Sequence, residues 1–152
     1  MILLVLQENY SNRSDPQPQA IAEAIAAYQE NNMRRRHLHL PPLNTMTIPC
    51  ITMVGTCPTF YLVPVTQELS EAVVAGRWPK VETMVLKCVT AAGPNPRVTE
   101  GMEVPEYRRV ALQRMIAFRA IAKSHCLTET PSVTSGILFY SSELIIYTYG
   151  LH

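Results

Sequence analysis

The fold is decided by residues 46–73, MTIPCITMVGTCPTFYLVPVTQELSEAV, in which two strand-forming runs precede a helical segment. The runs Met46–Val54 and Thr59–Val65 are rich in β-branched and aromatic residues, which favour extended chain. Gly55–Pro58 has the composition of a turn between them. This pattern predicts two adjacent strands as the centre of the domain.

The same stretch contains two kinds of positional signal. Pro49 and Pro64 cannot donate a ladder hydrogen bond, so we expect each at an edge, a bulge or a strand end. Thr66 is typical of an N-cap, and Gly76 is typical of the residue just past a helix. Thr66 and Gly76 therefore predict the two ends of a short helix, whose apolar stripe is formed by Leu69, Ala72 and Val73.

The segment before the strands predicts an alanine-rich helix. Asp15-Pro16 pairs an N-cap acceptor with a proline suited to the first helical position, and the helix should run to about Asn32. Its apolar residues recur at helical spacing at Ile21, Ala24, Ile25 and Tyr28.

A third strand and a long helix are predicted after the short helix. Val81–Thr90 alternates, and the mostly apolar set of Glu82, Met84, Leu86 and Cys88 should face the core. After a loop at 91–104, a helix from Pro105 to about His125 should bury one side, formed by Tyr107, Val110, Ala111, Met115, Phe118, Ile121 and Ala122.

The order of these segments predicts an α+β fold: a small mixed or mostly antiparallel sheet with two or three helices packed on one face. We expect the helix from Asp15 and the helix from Pro105 to share that face. Residues 16–126 should form one domain, with residues 1–15 as an N-terminal extension in which residues 1–7 are either a strand or an irregular start. Residues 127–152 should form a C-terminal extension that holds a candidate β-hairpin and could pair with a second copy.

The composition excludes several classes of protein. Apolar residues make up 47% of the 152 residues and charged residues only 16%, so we expect exposed apolar area and a partner that contacts it. A net charge of +1 excludes a uniformly basic nucleic-acid coat, although not a local patch. No apolar run is long enough to span a bilayer, and Met1–Leu6 is too short for a secretion signal. We therefore expect an intracellular protein, in the cytoplasm or nucleus, with no membrane partner.

Catalytic and metal-binding signatures are missing from the sequence. The four cysteines are widely and irregularly spaced, so they match no zinc motif and are expected to be reduced. Cys57, in the predicted turn, is the one thiol expected to be exposed. No phosphate loop, dinucleotide fingerprint, nucleophile elbow or zinc-protease motif occurs. We expect no catalytic residue, no metal and no cofactor.

Two basic clusters are the candidate binding residues. The long helix carries five basic residues against Glu106 alone, and four of them lie in one sector with Leu112 and Ile116 between them. That sector is either a solvated face or a docking face for an acidic, partly apolar partner. The second cluster, at the end of the first helix, is either a solvated helix end, an anion contact or, through His37 and His39, a pair of metal ligands. The candidate binding residues are Arg34, Arg35, Arg36, Arg108, Arg109, Arg119 and Lys123.

Three segments also carry a resemblance to a known family. They are IAEAIAAYQENN at 21–32, MTIPCITMVGTCPTFYLVPVTQELSEAV at 46–73 and EGMEVPEYRRVALQRMIAFRA at 100–120. Over residues 19–125 the chain resembles a functionally uncharacterised domain family that is widespread in mushroom-forming (agaricomycete) fungi. The resemblance implies no activity, ligand or site residue.

Two hypotheses of function follow from the residues. The first is a non-catalytic interaction domain that docks an acidic protein partner through the basic face of the long helix, or that docks through an exposed sheet edge. The second is a small nucleic-acid-processing enzyme, or a nucleic-acid-binding domain derived from a mobile element, with Arg34, Arg35 and Arg36 as a phosphate clamp.

Overall fold

A computed structural model describes the backbone of residues 4–8, 15–90, 101–127 and 146–147, and the side chains of 15–90 and 101–125. Within those ranges the chain forms helices and a sheet, which confirms the α+β class. The helices are α1 (Gln17–His37), α2 (Gln67–Val74) and α3 (Pro105–Leu127). The strands are β1 (Leu4–Glu8), β2 (Thr45–Val54), β3 (Cys57–Thr66), β4 (Val85–Val89) and β5 (Ile146–Tyr147).

The sheet is mixed and mostly antiparallel, as predicted, with the strands in sequence order from β1 to β5. β1 is parallel to β2, and α1 makes the crossover that such a pair requires. Leu4–Glu8 is therefore part of the sheet, which agrees with the strand interpretation of residues 1–7. Ile146–Tyr147 pairs with β4 of the same chain, and the rest of the predicted C-terminal hairpin lies outside the described residues.

The β2–β3 hairpin has a tighter turn than the sequence suggested. Val54 pairs with Cys57, so the turn is only Gly55-Thr56, and Cys57 and Pro58 belong to β3. Gly55 has a φ of 61°, which is the left-handed conformation that a type II′ turn places at its first central position. The two-residue turn fixes the register of the whole hairpin.

That register explains how two prolines fit inside strands. Val54 and Cys57 form the hydrogen-bonded pair that closes the turn, and non-hydrogen-bonded and hydrogen-bonded pairs alternate along the strands from there. Pro49 and Pro64 each lie an odd number of residues from this pair, so both occupy non-hydrogen-bonded positions of the hairpin. On their other sides, the described pairing with β1 begins at Cys50 and the pairing with β4 ends at Leu62. Within the described pairing, neither missing N–H therefore breaks a ladder bond, and Pro49 lies inside β2 rather than at its end.

α1 covers one face of the hairpin. Asp15 Oδ1 accepts a hydrogen bond from the backbone N–H of Gln17 at 3.1 Å, although the helix starts one residue later than predicted. The helix also runs on to His37 rather than ending near Asn32. Its buried residues pack against alternate residues of β2 and β3 in a single core that includes Ala20, Ala24, Ile25, Tyr28, Ile48, Cys50, Tyr61, Val63 and Val65.

α2 follows its predicted boundaries. Thr66 Oγ1 accepts from the backbone N–H of Leu69 at 3.1 Å, and Gly76 adopts a φ of 61° just past the helix. Leu69 and Ala72 are buried beside α1, but Val73 is 49% exposed, so its assignment to the apolar stripe was wrong.

β4 is shorter than predicted, and the face that it buries in the α1 core is opposite to the predicted one. It spans Val85–Val89, and Val85 is buried in the α1 core. Met84 and Leu86, which we assigned to the core face, are exposed. The residues alternate between the two faces of the sheet as predicted. α1 covers the face that contains Val85, so the face that contains Met84 and Leu86 does not meet the main core.

α3 lies on the opposite face of the sheet from α1. Phe118 of α3 packs against Phe60, with ring centroids 5.1 Å apart, whereas the neighbouring Tyr61 belongs to the α1 core. Consecutive strand residues point to opposite faces. The expectation that α1 and α3 share a face was therefore wrong, and the helices that do share one are α1 and α2.

The start of α3 is fixed to the β2–β3 turn by a small polar network. Thr56 Oγ1 donates to Glu103 Oε2 and accepts from the backbone N–H of Met102, both at 3.0 Å. The backbone N–H of Gly101 donates to Glu103 Oε1 at 3.2 Å. A Cβ added to the buried Gly101 would lie 1.9 Å from Thr56 Oγ1, so this close approach requires glycine.

Gly101→Ala should lower the free energy of unfolding by about 1–3 kcal/mol, because Thr56 would be pushed from its position against the new methyl group. Urea unfolding measures the change. In a Thr56→Ala background the closest atom is gone, so the same substitution should cost less. Equal costs in the two backgrounds would contradict the clash.

The Glu103 carboxylate should also make stability depend on pH. Its pKa lies below the usual 4.5, chiefly because its own backbone N–H and then the Thr56 hydroxyl donate to the charged form. A lowered folded-state pKa stabilises the fold above the unfolded-state pKa, and that stabilisation is lost as the pH falls through the folded-state pKa. Wild type should therefore exceed Glu103→Gln in stability at about pH 6, and this advantage should be smaller at about pH 3.

Urea midpoints at both pH values test this, with Glu106→Gln as the control carboxylate on the first turn of the same helix. A difference between wild type and Glu103→Gln that is the same at both pH values would show that the charge of Glu103 does not matter.

Candidate functional site

The inner side of α3 is apolar and buried, as its spacing predicted. Tyr107, Ala111, Phe118 and Ala122 are buried, and Phe118 contacts Phe60 of the sheet. Because buried residues occupy this side, the side of the helix about 180° away is turned from the protein.

The outward side of α3 combines aliphatic and basic residues. Leu112 is 49% exposed and Ile116 is 73% exposed, and they lie one turn apart in the same sector. Arg109, Arg119 and Lys123 surround them and are exposed. We call these five residues, Arg109, Leu112, Ile116, Arg119 and Lys123, the α3 outer face.

The three cations of the α3 outer face are not neutralised within the described part of the chain. None of their side chains makes a hydrogen bond or an ion pair there. The face also contains no carboxylate. Positive charge and apolar area are thus exposed side by side.

Two other arginines of α3 are engaged with the backbone. Arg108, one of the predicted binding residues, donates from Nε to the carbonyl of Met102 at 2.6 Å and from an Nη to the carbonyl of Glu103 at 3.3 Å. Arg114 donates to the carbonyl of Val89 on β4. Both side chains help to hold α3 in place. In this they differ from the three cations of the α3 outer face, which make no such bond among the described residues.

The basic cluster of α1 lies in the last turn of the helix rather than after it. Arg34 pairs with Glu30 at 2.7 Å, and Arg35 donates to the carbonyl of Pro41 at 2.8 Å. Only Arg36 has an exposed side chain without such a contact among the described residues. The three arginines therefore do not converge on one point.

The histidines do not form a metal site in the part of the chain that the structure describes. His37 and His39 are exposed, and no group of three or more potential ligands occurs among the described residues. His39 has a φ of 57°, so it is not in the extended conformation that would place both rings on one side.

The described cysteines Cys50, Cys57 and Cys88 form no disulfide with one another, and they lie in different environments. Cys50 is buried in the α1 core, and burial, with a smaller effect from Glu23, raises the pKa of its thiol to about 12. Cys57 and Cys88 are both half-buried, so Cys57 is not the one exposed thiol that we expected. Cys126 lies outside the described side chains.

In the folded protein at about pH 8, Cys50 should resist alkylation by iodoacetamide while Cys57 and Cys88 react, because only the thiolate attacks the reagent. Peptide mass mapping of briefly treated protein gives the rate at each thiol, and treatment in urea is the control for reagent access. Equal rates at Cys50 and Cys57 in the native protein would contradict the burial.

A groove of about 570 Å³ lies between α1 and α2, and nothing in the sequence had indicated it. Its lining is partly apolar, and two of its polar side chains bond within the protein: Gln29 Nε2 donates to Ser70 Oγ at 3.0 Å and Tyr28 OH donates to the carbonyl of Leu43 at 2.6 Å. Burial, with a smaller contribution from Glu71, raises the pKa of Tyr28. Its polar groups are thus largely used within the protein, and its rim carries both charge signs through Glu30, Arg36 and Glu71.

A scan against protein-family models, a search of curated proteins and a search of solved structures each give no match to this chain. Among the described residues, no helix is long and apolar enough to cross a membrane. The α3 outer face is therefore interpreted from its own geometry and chemistry.

Proposed function

We propose that the chain is a non-catalytic interaction domain that binds an acidic, partly apolar segment of another protein through the α3 outer face. The observation that carries the proposal is Ile116, which is 73% exposed at the centre of three cations without partners among the described residues. A solvated helix face has no need for an isoleucine at its centre.

The chemistry of the α3 outer face specifies that of its partner. Leu112 and Ile116 offer apolar area that is worth burying, while Arg109, Arg119 and Lys123 at the rim attract carboxylates. An amphipathic helix with glutamates or aspartates beside its apolar stripe meets both requirements. The charges should govern the rate and salt dependence of association, and the aliphatic centre should govern dissociation.

The position of the other arginines supports a docking surface rather than a phosphate clamp. Arg34, Arg35 and Arg36 belong to α1, which packs on the Tyr61 side of the sheet, whereas α3 packs on the Phe60 side. A nucleic-acid-processing enzyme would need the two basic clusters to lie in one cleft. Their positions on opposite faces of the sheet do not favour such an enzyme. The fungal family, the intracellular location and self-association through 127–152 stay predictions.

A synthetic helical peptide of about 20 residues, with leucines on one face and glutamates elsewhere, is the probe for this function. Wild type should bind it, and binding should weaken as salt is added. Ile116→Ser should reduce affinity roughly tenfold or more, because burying an isoleucine is worth about 1.5–3 kcal/mol. The variant with Arg109, Arg119 and Lys123 all changed to glutamate should not bind. Fluorescence anisotropy of the labelled peptide measures each affinity.

A matched control changes Arg36, Arg77 and Lys80 to glutamate, which alters net charge equally but leaves α3 intact. Any loss of peptide affinity in this control measures the effect of net charge alone, so it should be smaller than the loss in the α3 variant with three glutamates. All variants should keep the wild-type melting temperature. The proposal fails if wild type does not bind the peptide, or if the α3 variants bind it as wild type does. If a short DNA duplex binds in place of the peptide and is lost with the same α3 variants, the ligand is nucleic acid and not an acidic protein.

A further inference from the structure

A second exposed apolar surface lies in residues 73–84, which join α2 to β4. Trp78 is 66% exposed, Val74 is 75% exposed and Val81 is 64% exposed. Val73 and Met84 are about half exposed at either end of the segment. Isolated exposed apolar residues are normal, but five large ones within twelve consecutive residues are a concentration that favours contact with a partner.

The local structure holds this segment away from the core. α2 buries Leu69 and Ala72, whereas Val73 and Val74 in its last turn are exposed, and Val74 also lines the groove between α1 and α2. At its end the backbone N–H of Arg77 donates to the carbonyl of Ala72 at 2.9 Å. This bond and the left-handed Gly76 direct the chain out of the helix immediately before Trp78.

Basic side chains flank the tryptophan, and with Glu82 as the one acidic residue the net charge of residues 73–84 is +1 (two basic residues against one acidic). Arg77 and Lys80 are exposed, and neither side chain makes a hydrogen bond or an ion pair within the described residues. Tryptophan is enriched at the level of lipid headgroups, where its ring is apolar and its N–H remains hydrated. Aliphatic residues and cations beside it supply the two further attractions of an anionic membrane surface.

We propose that residues 73–84 form a peripheral membrane-contact site. Val74, Trp78 and Val81 enter the interfacial layer of a bilayer, while Arg77 and Lys80 contact anionic headgroups. Such a contact needs no spanning helix, so the expectation of no membrane partner, which rested on the lack of a spanning segment, does not exclude it. A symmetric contact between two copies fits less well, because it would bring the same cations together.

Trp78 is the single tryptophan of the chain, so its fluorescence reports on this segment alone. Phosphatidylcholine vesicles with and without phosphatidylserine are the probes. With phosphatidylserine the emission should shift to the blue and the protein should sediment with the vesicles, and added salt should reverse both changes. Phosphatidylcholine alone should give little of either, because the attraction of the two cations is missing.

Two sets of variants separate the apolar from the charged contribution. Trp78→Ala should lower vesicle partitioning about tenfold, and the double change Arg77→Gln with Lys80→Gln should lower it roughly 30-fold. These side chains are exposed, so the melting temperature should not change. Leu112→Ser with Ile116→Ser, on the α3 outer face, is the control and should partition as wild type does. This independence keeps the membrane proposal distinct from the proposed protein partner.

Three results would overturn the membrane proposal. The first is unshifted Trp78 emission with anionic vesicles. The second is a blue shift that grows with protein concentration when no vesicles are present, which would assign the segment to contact between copies. The third is a shift produced by the acidic peptide and not by vesicles, which would assign it to a protein partner.

Discussion

β3 has apolar residues on both of its sides, and the rest of the structure depends on covering both. Tyr61, Val63 and Val65 face α1, while Phe60 faces α3. A sheet with one apolar face would need helices on one side only, but this hairpin would leave Phe60 in water. Since a slip of one residue would exchange the two sides, the two-residue turn at Gly55 also determines which helix each side chain meets.

The two helical layers are attached to the sheet in different ways. α1 is placed by chain topology, because it connects the parallel strands β1 and β2 and buries a row of small residues such as Ala20 and Ala24. α3 is placed by a local contact, in which Thr56 of the turn binds the backbone of Met102 and the carboxylate of Glu103. The hairpin turn therefore sets both the register of the sheet and the starting point of the second layer.

Features that depend on a few neighbouring residues could be predicted from the sequence. The cap at Thr66, the left-handed Gly76 and the inward side of α3 are of this kind, because caps and helical periodicity act within one or two turns. The face taken by α3 could not be predicted, since it is decided by which side of β3 remains uncovered once α1 has packed. The exposed Val73 and Leu86 have the same origin, because their apolar character does not say whether a neighbouring element reaches them.

The candidate site also contains features that local sequence spacing predicts and contacts that only the folded chain creates. Helical spacing placed Arg108, Arg109 and Arg119 in one sector, but only the folded chain brings the carbonyls of Met102 and Glu103 within reach of Arg108. Likewise Arg114 meets Val89, and Arg35 meets Pro41, through contacts that sequence spacing does not encode. The groove between α1 and α2 requires two helices that are distant in sequence, so no local motif could have indicated it.

The low charge content of the chain agrees with the exposed apolar side chains of its described residues, which include the α3 outer face and residues 73–84. In both places aliphatic or aromatic side chains stand beside arginine or lysine, whose long methylene stems can cover apolar neighbours while their charged ends stay in water. Such a surface tolerates water when it is unoccupied and gains from desolvation when an anionic, partly apolar partner arrives. Because α3 and α2 pack on opposite faces of the sheet, the two surfaces can be occupied independently, and neither competes with the packing that holds the sheet together.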